Sequence, residues 1–71
     1  MQLGTRWAAG AQPPASVPEA LRPAIAEVES QGLTGHWTLT WLEGRAIAEL
    51  DAGWEVLQTA SGEVVARPFA D

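Results

Sequence analysis

The 71-residue chain has no cysteine, no lysine and no tyrosine, and it has a single histidine. Without cysteine there is no disulfide and no thiolate zinc site, and one histidine rules out a multi-histidine metal centre. Without lysine, the positive charge rests on Arg6, Arg22, Arg45 and Arg67, scattered along a chain that carries nine acidic residues and a net charge of −5. Phosphate binding needs clustered cations, so this balance argues against nucleic acid and against an anionic membrane surface. No apolar run approaches the roughly 20 residues that would span a bilayer. Met1 to Gly10 show no charged segment followed by an apolar one, so no signal peptide is indicated and the cytoplasm is the expected location. No GxGxxG or GxxxxGK[ST] pattern is present to cradle a phosphate. The shortage of lysine, tyrosine and asparagine beside abundant Ala, Gly, Arg and Trp points to a GC-rich bacterial genome.

What is present fits one small domain. A chain this short buries about 60% of the surface its unfolded form exposes, so the core is small and oligomerisation is the one staple the composition leaves open. Residues 1–15 read as an extended arm or edge strand, with Leu3, Thr5 and Trp7 alternating with Gln2, Gly4 and Arg6 before a Pro- and Gly-containing stretch. Residues 16–71 read as a single α+β domain. Ser16 and Glu19 have the spacing of a capping box, and Leu21, Ala24, Ile25 and Val28 follow at helical spacing. A helix is expected over about 18–31, ending at Gly32, with Pro23 either in its first turns or marking its true start.

From Gly35 the period changes from 3.6 to 2. Segments 36–42, 45–50, 54–59 and 63–67 alternate, separated by Glu43-Gly44, Asp51-Ala52-Gly53 and Ala60-Ser61-Gly62. A two-residue loop with Gly second, and three-residue loops with Gly last, are hairpin signals. The expected fold is therefore one N-terminal helix packed on a four-stranded antiparallel meander sheet. The loops fix the register. They pair Trp41 with Ala46, Leu39 with Ala48, Trp37 with Leu50, Leu50 with Trp54, Ala48 with Val56, Val56 with Ala66 and Gln58 with Val64. One face then carries Trp37, Leu39, Trp41, Ala46, Ala48, Leu50, Trp54, Val56, Val64 and Ala66, and the helix stripe should cover it. The opposite face is polar, with Glu55 opposite Arg67, except that Ile47, Leu57 and Val65 line up across three strands, with Leu42 and Phe69 near the ends.

Exposed apolar stripes are uncommon on monomers unless something covers them. The expected function is therefore a non-enzymatic protein–protein interaction module. It would bury Ile47, Leu57, Val65, Leu42 and Phe69 against another protein or a second copy as a homodimer, with Glu49, Glu55 and Arg67 as a polar rim. Trp7, on the arm, either covers this stripe or meets a partner. The alternative is a small-ligand-binding module using Trp7 and the same face. Two constellations could carry other chemistry. His36 falls opposite Asp51, a pair capable of acid–base work, but with no nucleophile beside it a surface His next to an acidic loop is the plainer reading. Glu49, Asp51 and Glu55 cluster near one turn, yet lack the dense ligand loop of a calcium site, so a solvated acidic rim is expected. No cofactor and no metal are expected.

The stretch Trp37-Thr38-Leu39-Thr40-Trp41-Leu42-Glu43-Gly44-Arg45 resembles one in small uncharacterised proteins of GC-rich bacteria, a likeness that covers at most half the chain and implies no activity or site. A helix followed by strands ending in Ser61-Gly62-Glu63-Val64-Val65 is similar to PepSY-type domains, which are associated with peptidase regulation.

Overall fold

The computed structural model describes residues 5–69. Strand β1 (Thr5–Ala8) is followed by a 3-10 turn (Glu19–Leu21), helix α1 (Arg22–Glu29), and strands β2 (His36–Leu42), β3 (Arg45–Leu50), β4 (Trp54–Gln58) and β5 (Val64–Pro68). The strands form one antiparallel sheet in the order β1-β2-β3-β4-β5. The fold is α+β, as expected, but the sheet has five strands rather than four, and the helix lies between β1 and β2 rather than at the N-terminus. The fifth strand is the edge strand that alternation at Thr5 and Trp7 permitted, running from Thr5 opposite Leu39 to Ala8 opposite His36. Leu3 lies outside the described residues.

The helix is shorter than 18–31, and Pro23 explains why. In an α-helix its ring would crowd the carbonyl four residues back, at Glu19. Glu19–Leu21 instead make a 3-10 turn, and Pro23 falls in the first turn of α1, where its missing N–H costs least. The expected capping box does not form, since neither helical segment has a side-chain cap. Arg22 does related work from inside the helix. Its guanidinium donates to the carbonyls of Pro14 (2.7 Å) and Val17 (3.3 Å), pinning the preceding loop to the helix. At the other end Gly32 takes a left-handed conformation (φ 83°) and its N–H bonds the Glu29 carbonyl.

The hairpins have the expected registers, including every pair named above. Glu43 and Gly44 both have positive φ (52° and 78°), the backbone of a two-residue turn whose twist matches the strands. In the other two loops Gly53 and Gly62 supply the left-handed residue (φ 106° and 92°), and their N–H groups close turns to Leu50 and Thr59.

One face of the sheet forms the core. Val17, Leu21, Ile25 and Val28 pack over Trp37, Leu39, Ala46, Ala48, Leu50 and Val56, all buried. Trp7 belongs to the same layer, stacked on Trp37 with ring centroids 6.2 Å apart. Glu29 ties three elements together, because its Oε2 accepts from the Trp37 indole N–H (2.8 Å) and from the backbone N–H of Gly10 (3.0 Å). Trp41 departs from expectation. It lies on the core side by alternation but is 46% exposed, at the end of β2, while the helical segments lie over β4 and β5. Ala66 is likewise exposed, and Trp54 and Val64 are only partly buried.

Candidate functional site: the uncovered sheet face

The second face of the sheet is built by the same alternation that builds the core. The ladders place Ile47 opposite Leu57 and Leu57 opposite Val65, so the expected apolar row exists, with Thr40 continuing it onto β2. All three apolar side chains are partly exposed. Both helical segments lie on the core side, and no described element packs over this row. Leu42 (56% exposed) and Phe69 (48%) flank it. These are two of the three large apolar side chains left exposed among the described residues.

The row is bordered by charge on both sides. On one side lie Arg6, Thr38, Glu49, Glu55 and Arg67, each opposite the next across adjacent strands. On the other lies Arg45, opposite Leu42. Three of the chain's four arginines therefore sit on this face, gathered by the register from positions scattered in sequence. Arg67 Nε donates to Glu55 Oε2 at 2.7 Å, and Arg45 reaches Glu43 at 3.3 Å in the turn beside it. Glu49 stands directly opposite Glu55, a like-charge pair that weakens the ladder, and it has no ion-pair partner among the described residues. Ile47 and Leu57 line a hollow of about 220 Å³ that is shared with Leu42, Arg45, Glu55 and Arg67. Small-molecule sites usually enclose about 300–1,000 Å³, so the hollow is a dimple in a patch rather than a ligand cavity.

The structure separates Trp7 from the other residues expected here. Trp7 is 7% exposed and lies on the opposite, core face, so it neither covers the stripe nor presents a ring to a ligand. Alternation in β1 already implies this once Arg6 is paired with Thr38. What the sequence did not reveal was that β1 pairs with β2, thirty residues away. The indole N–H of Trp7 is buried without a hydrogen-bond partner among the described residues.

Asp51 accepts a hydrogen bond from the backbone N–H of His36 (3.1 Å) and lies 3.6 Å from Arg6. The His36 imidazole makes no hydrogen bond among the described residues. Glu49, Asp51 and Glu55 do not converge, and no group of three potential ligands among the described residues is placed to hold a metal. No described helix is long and apolar enough to cross a membrane. No protein-family model matches the chain, and no curated protein or solved structure matches it either.

Proposed function

We propose that this chain is a non-enzymatic protein-interaction module that acts through the uncovered face of its sheet. The observation that carries this reading is the row Ile47, Leu57 and Val65, aligned by the ladder and covered by no described element, while the opposite face holds the buried core. Leu42 and Phe69 extend the patch, and Glu49, Glu55, Arg45 and Arg67 form a mixed-charge rim. Apolar side chains that become fully buried contribute about 1.5–3 kcal/mol each. Three of them matter to a domain whose total stability is about 5 kcal/mol. The small-ligand reading has lost its aromatic platform, since Trp7 faces the other way, and the hollow on this face is small.

The test is a photocrosslinking amino acid placed at Leu57, with Ala26 on the exposed side of α1 as the control position. In the cells that express the protein, the probe at Leu57 yields a discrete protein adduct and the probe at Ala26 does not. Equal yields from both positions, or none from Leu57, would sink the proposal.

A further inference from the structure

We infer that the occupant of this face is the same face of a second copy, docked about a two-fold axis that runs across the strands through Ile47, Leu57 and Val65. This rests on the reading that the face is an interface, and it names the partner and the geometry. A two-fold interface must be complementary to itself, and the charge pattern has that property in one orientation.

The face carries three rows. The first holds Thr38, Glu49, Glu55 and Arg67, and the middle one holds Thr40, Ile47, Leu57 and Val65. The third holds Leu42, Arg45, Thr59 and Glu63, where the Thr59 N–H to Glu63 carbonyl bond continues the ladder. Rows are two residues apart along each strand, about 6.5–7 Å. An axis across the strands keeps each strand over its own counterpart and exchanges the outer rows. Glu49 then faces Arg45 of the partner subunit, Arg67 faces Glu63 of the partner subunit, and Glu55 faces a threonine. The apolar row meets itself, and no like-charged pair arises among these positions on β2 to β5.

The other two-fold arrangements are worse. An axis along β4 also pairs Glu49 with an arginine, but it sets Glu55 against Glu55. An axis between β3 and β4 sets Glu49 against Glu55 on both sides. Sheets packed face to face lie about 10 Å apart and within about 30° of alignment, a gap that Arg and Glu side chains bridge.

The groups concerned are available. Arg67 uses Nε for Glu55, and neither of its Nη groups has a partner among the described residues. Among the described residues Arg45 holds only the exposed Glu43 in its own turn. Glu49 lies against Glu55 and lacks an ion-pair partner among the described residues, so a cation from a second copy relieves a repulsion already present. Arg45 and Glu49 form no ion pair within one chain, where four residues of extended strand put their Cα atoms about 13 Å apart with Ile47 between them on the same face. The patch spans four strands at about 4.8 Å spacing and three rows, roughly 300–400 Å² per copy. Stable interfaces bury about 800 Å² per partner, so this dimer is concentration-dependent rather than obligate.

Sedimentation equilibrium of the purified chain from about 1 to about 500 µM tests this, bracketing the weak dissociation constants expected of so small a patch. The wild type should follow a monomer–dimer equilibrium. Arg45→Glu should weaken it at least about tenfold, the loss expected of facing like charges. The double swap Arg45→Glu with Glu49→Arg should restore it, and Arg45→Glu with Glu63→Arg, which suits the axis along β4, should not. Ile47→Cys supplies a check that does not depend on charge, since a short thiol-to-thiol crosslinker able to span the roughly 10 Å between the sheets should join two copies through that position. A wild type that stays monomeric throughout, or a failure of the Glu49 swap to restore dimers, overturns the inference. If the chain is monomeric while the Leu57 probe captures another protein, the interaction reading stands and this geometry falls. If neither association occurs, both fall.

Discussion

Leu50 and Leu57 offer the same substitution on opposite faces of one sheet, and truncating each to alanine should have very different costs. Leu50 is fully buried against Trp37 and Trp54. Removing three carbons forfeits about 0.8 kcal/mol each, and the cavity left in a packed core raises the total to about 3–4 kcal/mol. That is most of the stability of a 71-residue domain. Leu57 is partly exposed and no described element packs over it, so truncation opens no cavity and water fills the space. Only part of the transfer term is lost, about 1–1.5 kcal/mol in the monomer. Urea unfolding followed by tryptophan fluorescence at submicromolar concentration measures both. At high concentration the cost of Leu57→Ala should grow, because dimerisation stabilises the wild type by mass action, whereas the cost of Leu50→Ala should not change by more than the same linkage term. If Leu57→Ala costs as much as Leu50→Ala in dilute solution, the second face is covered within the monomer and the reasoning fails.

Other expectations follow from the same structure. Trp7→Phe should be close to neutral in urea unfolding, because the lost area is offset by removing a buried N–H without a partner. Trp37→Phe should cost about 2–3 kcal/mol, because it also strands the Glu29 carboxylate. Gly35→Ala should destabilise by about 2 kcal/mol or more, since Gly35 has φ 115° and its new Cβ would meet Asp51 Cβ at 2.9 Å. Glu43→Asn should raise the thermal midpoint, worth about 0.5–1 kcal/mol, because Asn accepts the left-handed backbone that Glu43 is forced into. Glu49→Gln should stabilise the monomer by a few tenths of a kcal/mol by relieving the repulsion from Glu55 while weakening the dimer in sedimentation.

Much of the sheet was legible in the sequence because short loops leave little freedom. Glu43-Gly44 and two three-residue loops ending in Gly fix the pairing of the strand residues from Trp37 to Arg67. The aligned row Ile47, Leu57 and Val65 followed from that register alone. Features set by distant parts of the chain were less legible. The pairing of β1 with β2 spans the whole helix, so Thr5–Ala8 could be read as an arm as easily as a strand, and Trp7 could be assigned to either face. The extent of the helix was obscured by two competing signals, a capping-box spacing at Ser16 and a proline at position 23. The steric demand of the proline won: Glu19–Leu21 form a 3-10 turn and α1 begins only at Arg22.

The central claim is that the uncovered sheet face is where this chain meets a second copy of itself. A series of amide correlation spectra of the isotope-labelled protein across the same concentration range tests it residue by residue. Concentration-dependent shifts should gather on Arg45, Ile47, Glu49, Leu57, Val65 and Arg67, with α1 (Arg22–Glu29) unmoved. Shifts centred on α1 or on Trp41, or spectra that do not change with concentration, would contradict it.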